Sequence, residues 1–123
     1  MNYLIYQNYQ LVVPGFGNEY DDMSIETSKR IVKMAIKNGI NYFDSSPFYG
    51  ETRSELVLGE CIKDIPRQSY FIGTKVGRYS NSEFNYGYDS VIKGVNDSMN
   101  RLGIDVIDLV QCHDIEFCES LKL

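Results

Sequence analysis

Asp44, Tyr49, Lys75 and His113 are the residues of this chain that could do chemistry together. A tyrosine ionises near a pKa of about 10, so alone it is a weak acid at neutral pH. A neighbouring ammonium such as that of Lys75 favours the phenolate. A carboxylate such as that of Asp44 holds the ammonium in place and keeps it charged. His113 can donate a hydrogen bond to an oxygen on which negative charge develops. The sum is a general acid–base device for moving a proton at a carbonyl or alcohol oxygen. It supplies no hydride, so redox chemistry there requires a nicotinamide cofactor. Taken singly each residue has an ordinary reading. Asp44 reads equally as a strand-end cap, Tyr49 is one of ten tyrosines, Lys75 as a solvated strand-end lysine and His113 as a structural histidine. Their joint placement carries the argument.

That placement follows from an alternation of strand and helix signals. The apolar run Leu11-Val12-Val13, stopped by Pro14, is a first strand. Residues 24–38 read as a helix with Ile31, Met34, Ala35 and Asn38 on one face, ended by Gly39 in the left-handed position. Residues 40–44 form a second strand. Thr52 and Glu55 have the spacing of a capping box, opening a second helix through Leu56, Leu58, Cys61 and Ile62. After Pro66, residues 70–74 read as a third strand. A third helix starts at Asp89 or Ser90, with Val91, Ile92, Val95, Met99 and Leu102 as its buried stripe and Gly103 as its stop. Residues 106–112 are β-branched and apolar, the composition of a strand covered on both faces. Asp105 reads as a turn residue. Asp108, a charge inside that apolar strand, needs a partner.

Strand alternating with helix gives an α/β fold with a parallel sheet, either doubly wound or part of a barrel. Gly15-Phe16-Gly17 lacks the third glycine of a dinucleotide-binding turn, which disfavours the doubly wound nucleotide fold. In either architecture the active site lies at the C-terminal ends of the strands. Asp44, Lys75 and His113 each end a strand, and Tyr49 lies in the loop after the second.

Composition narrows the function classes. The chain of 123 residues is 43% hydrophobic and 24% charged, the balance of one globular domain over residues 1–123. Net charge is -5 with no basic run, which argues against nucleic acid or an anionic membrane as partner. Gln7, Asn8 and Gln10 interrupt any signal-peptide core, and three scattered cysteines read as free thiols, so a cytoplasmic protein is expected. Cys112, His113, Asp114 and Cys118 match no zinc spacing, so no metal is expected.

Recognition adds to this. The run Gly39-Ile40-Asn41-Tyr42-Phe43-Asp44-Ser45-Ser46-Pro47-Phe48-Tyr49-Gly50, followed by Ser54-Glu55 and Leu58-Gly59, resembles the aldo-keto reductase signature. Thr74-Lys75 resembles the lysine motif of that family. Arg101-Leu102-Gly103-Ile104-Asp105, Ile107-Asp108-Leu109 and His113 resemble the segment ending in its histidine. The likeness runs over residues 31–117. Within the family, residues 74–79 and 112–117 are most similar to the aldose 1-dehydrogenases, which oxidise the anomeric hydroxyl of sugars such as L-galactose. The resemblance implies a TIM (β/α)8 barrel, NAD or NADP as cofactor, and a sugar or carbonyl substrate. It implies Tyr49 as proton donor and acceptor, assisted by Lys75 and Asp44, with His113 orienting the substrate oxygen and Asp44 also touching the cofactor.

The family barrel has eight strands, and four are legible here, so a half-barrel is expected. The family's other cofactor contacts belong to later strands, and residues 17–22 make a shorter loop than the family uses beside the nicotinamide. A half-barrel leaves the first and last strands as free edges, which favour self-association. Two functions therefore stand side by side: an aldose dehydrogenase or carbonyl reductase, and a non-catalytic truncated form acting by association.

Overall fold

The computed structural model describes residues 10–14, 16 and 24–118; the short loop expected at 17–22 lies outside them. Its four strands are β1 (Gln10–Val12), β2 (Tyr42–Asp44), β3 (Phe71–Val76) and β4 (Leu109–Cys112). The helices between them are α1 (Ile25–Lys37), α2 (Arg53–Ile62) and α3 (Tyr88–Leu102). All neighbouring strands are parallel, in the order β1-β2-β3-β4. A doubly wound sheet reverses its strand order at a switch point. This sheet does not reverse, so of the two expected architectures it is the partial barrel.

Alternation along the strands divides the sheet into two faces. Phe43, Ile72, Thr74 and Val76 are buried on the face that packs against the helices. Phe43 and Ile72 join Val32 and Ala35 of α1, Leu58, Cys61 and Ile62 of α2, and Leu102 of α3 in one hydrophobic core. Each such aliphatic or aromatic side chain contributes roughly 1.5–3 kcal/mol by leaving water. Tyr42, Asp44, Gly73 and Lys75 alternate onto the other face, which leads to the C-terminal mouth.

Local structure departs from expectation at four places. In α1 the buried face is Ser28, Val32 and Ala35, whereas Met34 is 62% exposed. The stripe is therefore turned toward Val32, because α1 meets both the sheet and α2 along that line. The capping box does not form. Thr52 has a left-handed backbone (φ 75°) and makes no side-chain cap, and Glu55, itself fully buried, is drawn instead into an ion pair with the partly exposed Arg101. In α3 the closest-packed positions are Gly94, Ser98 and Leu102, with Ile92 exposed. Gly94 faces Tyr79, whose hydroxyl oxygen would lie 2.5 Å from a Cβ there, and α2 approaches the end of α3 so closely that a Cβ on Gly59 would lie 2.7 Å from the Arg101 carbonyl oxygen. Finally, β4 is exposed along its length rather than covered on both faces, since β3 is its one neighbour among the described residues.

Other local expectations hold. Ser24 caps α1, its Oγ accepting from Thr27 N at 3.2 Å, and Gly39 (φ 86°) and Gly103 (φ 67°) follow α1 and α3 in the left-handed region. Asp108 finds its partners in Arg67 Nη2 at 2.5 Å and Ile72 N at 2.7 Å. No helix among the described residues is long and apolar enough to cross a membrane.

Candidate active site

Strand register brings the first two groups together. Asp44 pairs with Gly73, and Lys75 lies two residues further along β3 on the same face. Lys75 Nζ donates to Asp44 Oδ2 at 2.6 Å and to the Ser45 carbonyl at 2.9 Å. Both side chains are largely withdrawn from water, at 13% and 9% exposure. Attraction is strong there but desolvation is costly, so the short contact and the added carbonyl bond are what make the pair tenable.

Tyr49 comes from the loop after β2. Gly50, Glu51 and Thr52 follow it with φ of 58°, 50° and 75°. Consecutive left-handed residues are uncommon outside glycine, and such departures cluster at functional sites. They turn the chain sharply into α2 and leave the Tyr49 ring over the β-strand ends. Lys75 Nζ lies 4.8 Å from the centre of that ring, within cation–π range. Its hydrogen bonds go to Asp44 and Ser45, and among the described residues none goes to the Tyr49 hydroxyl. Tyr42, a second phenol on this face, has its pKa pushed up first by burial and then by the Asp44 charge. It therefore stays protonated at neutral pH.

His113 follows β4, where its N–H donates to the Val76 carbonyl at 2.8 Å and extends the ladder past β3. Its ring meets Tyr49 edge-on at 5.8 Å and Phe48 at 5.7 Å. Nδ1 lies 3.0 Å from Ser46 Oγ. Burial lowers the His113 pKa, the charges of Lys75 and Arg78 act the same way, and Asp114 and Asp44 oppose them. The imidazole is neutral at pH 7 and fit to donate one N–H. All four residues singled out in the sequence thus lie at one mouth.

The Aldo/keto reductase family profile matches residues 14–121 of the chain. The chain belongs to the aldo/keto reductase family. It is 41% identical over 104 residues to L-galactose dehydrogenase of Arabidopsis thaliana, covering 83% of this chain and 31% of that protein. To D-arabinose 1-dehydrogenase of Saccharomyces cerevisiae it is 45% identical over 91 residues, covering 71% of this chain and 27% of that one. Among solved structures, an aldo-keto reductase of Pseudomonas aeruginosa superposes with a TM-score of 0.73 at 30% identity, over 84% of this chain and 39% of the other. This aldo/keto reductase chain therefore spans about a third of the length of the curated relatives it matches.

Several residues that support the mouth went unassigned in the sequence. Arg78 pairs with Asp114 and lies 3.7 Å over the Phe48 ring. The Tyr86 hydroxyl is 2.7 Å from the carbonyls of both His113 and Asp114. Both belong to the segment after β3, which has no periodicity to read. Ser46 did carry a signal, since it continues the two-residue alternation of Tyr42 and Asp44 toward the mouth.

Proposed function

We propose that this chain contributes the acid–base half of an NAD(P)-dependent aldose 1-dehydrogenase active site. One observation carries the reading: Lys75 Nζ is held between the Asp44 carboxylate, at 2.6 Å, and the Tyr49 ring, at 4.8 Å, with the His113 ring edge-on to Tyr49 at 5.8 Å. The similarity to an L-galactose and a D-arabinose dehydrogenase supports a sugar as substrate.

A nicotinamide nucleotide fits what the mouth leaves open. Asp44 Oδ1 is buried with no hydrogen-bond partner among the described residues. A buried acceptor of this kind calls for a donor, and a ribose hydroxyl is one. Asp44 is thus the residue that would hold the cofactor. When bound, NAD or NADP supplies the hydride acceptor.

The proton is the work of the chain itself. Tyr49 Oη receives the proton of the anomeric hydroxyl as the C1–H bond is broken, and the sugar becomes a lactone. Lys75 holds a positive charge 4.8 Å from the centre of the Tyr49 ring, and Asp44 fixes the ammonium. His113 donates from its ring to the sugar oxygen and sets its direction. Carbonyl reduction is the same proton transfer reversed.

Nucleotide-dependent quenching or enhancement of NADH and NADPH fluorescence measures binding to the purified chain. Aldose-dependent NAD(P)H formation measures turnover, and Tyr49→Phe is expected to abolish it while binding persists. Undiminished turnover in that variant removes Tyr49 from this role. A second reading, association without catalysis, draws on β4: Leu109 and Val110 lie exposed on a strand with one neighbour among the described residues. Self-association by light scattering, with no nucleotide binding, favours that reading.

A further inference from the structure

Ser46 lies between the end of β2 and the Tyr49 loop with no solvent exposure. Among the described residues its hydroxyl has two hydrogen-bonding neighbours, His113 Nδ1 at 3.0 Å and the Phe48 backbone nitrogen at 3.1 Å. A hydroxyl carries one proton and accepts at its lone pairs. The Phe48 N–H can only donate, so it occupies a lone pair of Ser46 Oγ. The Ser46 proton still needs an acceptor, because a buried O–H left unpaired is costly. Among the described residues the acceptor within reach is His113 Nδ1. A neutral imidazole has one N–H, so an accepting Nδ1 puts the proton on Nε2.

We infer that Ser46 is a positioning residue that fixes His113 in its Nε2–H tautomer through the chain of bonds Phe48 N–H to Ser46 Oγ–H to His113 Nδ1. The alternative tautomer would have Nδ1 donate to Ser46, leaving the buried hydroxyl proton with nowhere to go. The other ring nitrogen is kept available. Asp114 Oδ1 stays 3.8 Å from Nε2, outside hydrogen-bond range, while Arg78 engages Asp114 Oδ2. An N–H with no acceptor in hydrogen-bond range among the described residues is what the proposed role of His113 requires, since it must be given to a substrate oxygen. That catalytic meaning rests on the dehydrogenase reading; the tautomer does not.

The chain has a single histidine, so protein grown on isotope-labelled histidine gives one pair of ring-nitrogen NMR signals. Above the His113 titration, the wild type is expected to show a pyrrole-type Nε2 and a hydrogen-bonded, pyridine-type Nδ1. Ser46→Ala should shift the Nδ1 signal toward that of a free pyridine-type nitrogen, and Ser46→Thr, which keeps the hydroxyl, should restore it. A pyrrole-type Nδ1 in the wild type overturns the inference even if neither variant folds. So does an Nδ1 shift that is the same in wild type and Ser46→Ala. Lack of aldose oxidation alongside the expected signals counts against the dehydrogenase proposal and leaves the role of Ser46 standing.

Discussion

Replacing Arg101 by methionine should weaken this fold more than any surface charge removal. Arg101 Nε donates to Glu55 Oε2 at 2.7 Å, and Thr74 Oγ1 donates to Glu55 Oε1 at 2.5 Å. The Glu55 side chain has 0% exposure and that of Arg101 20%. Removing one partner of a buried pair costs about 3–5 kcal/mol, because the remaining charge stays out of water. The partial exposure of Arg101 reduces this to about 2–4 kcal/mol, and methionine keeps the packing of the aliphatic stem. Small domains are stable by only about 5–15 kcal/mol. With a urea m-value of about 1–3 kcal/mol/M, the unfolding midpoint should fall by about 0.7–4 M. Circular dichroism at pH 7 reads it. Lys93→Met is the comparison, because Lys93 and Asp97 pair at 2.6 Å with side chains 77% and 39% exposed. An exposed pair of this spacing contributes about 0.3–0.5 kcal/mol. Equal midpoints for the two variants would refute the reasoning that Glu55 is charged and dependent on Arg101.

Three further outcomes are expected. Gly59→Ala should lower the same midpoint, by about 1–3 kcal/mol in stability, because the new methyl meets the backbone carbonyls of Arg101 and Leu102 and the helices must part; an unchanged midpoint would show the α2–α3 contact to be looser than it is drawn. His113 has a folded-state pKa below its unfolded value, so as pH falls the unfolded chain takes up the proton first. Its contribution is intact above the unfolded value near about 6.5 and is lost below it, so urea midpoints should fall between about pH 7.5 and about pH 5.5 with a slope that His113→Asn flattens; equal slopes in both proteins would contradict the assignment. Burial pushes the Cys61 thiol up to about 11, whereas Cys112 is exposed. At pH 8 only roughly a thousandth of Cys61 is thiolate, so alkylation followed by mass spectrometry should mark Cys112 well before Cys61; comparable rates would argue against a closed core around α2.

The order of elements was legible because each has a local cause. Gly39 and Gly103 stop helices, Ser24 starts one, and apolar runs separated by helices force parallel pairing. The site was legible for the same reason, since a strand end is a fixed address in such a sheet and Asp44, Lys75 and His113 each occupy one. What the sequence hid depends on neighbours in space. The spacing of Thr52 and Glu55 satisfies a helix cap, yet α3 offers Glu55 a guanidinium, and the carboxylate leaves the cap for it. Met34 and Ile92 look as apolar as the residues that are buried, and only the angle at which helices meet decides which side is covered. Arg78 and Tyr86 lie in a segment with no periodicity, so their contacts with the His113–Asp114 turn leave no local trace.

Thr74 and Lys75 are neighbours on β3, and neighbours on a strand look in opposite directions. Thr74 reaches back to the carboxylate locked between α2 and α3, while Lys75 reaches forward to Asp44. One short stretch of backbone is therefore gripped from behind by the helical layer and presents its ammonium in front. A substitution behind the sheet that lets this stretch rotate would be felt as a displaced charge beside Tyr49. Screening variants of Glu55 or Arg101 by melting temperature alone would miss that half of their effect.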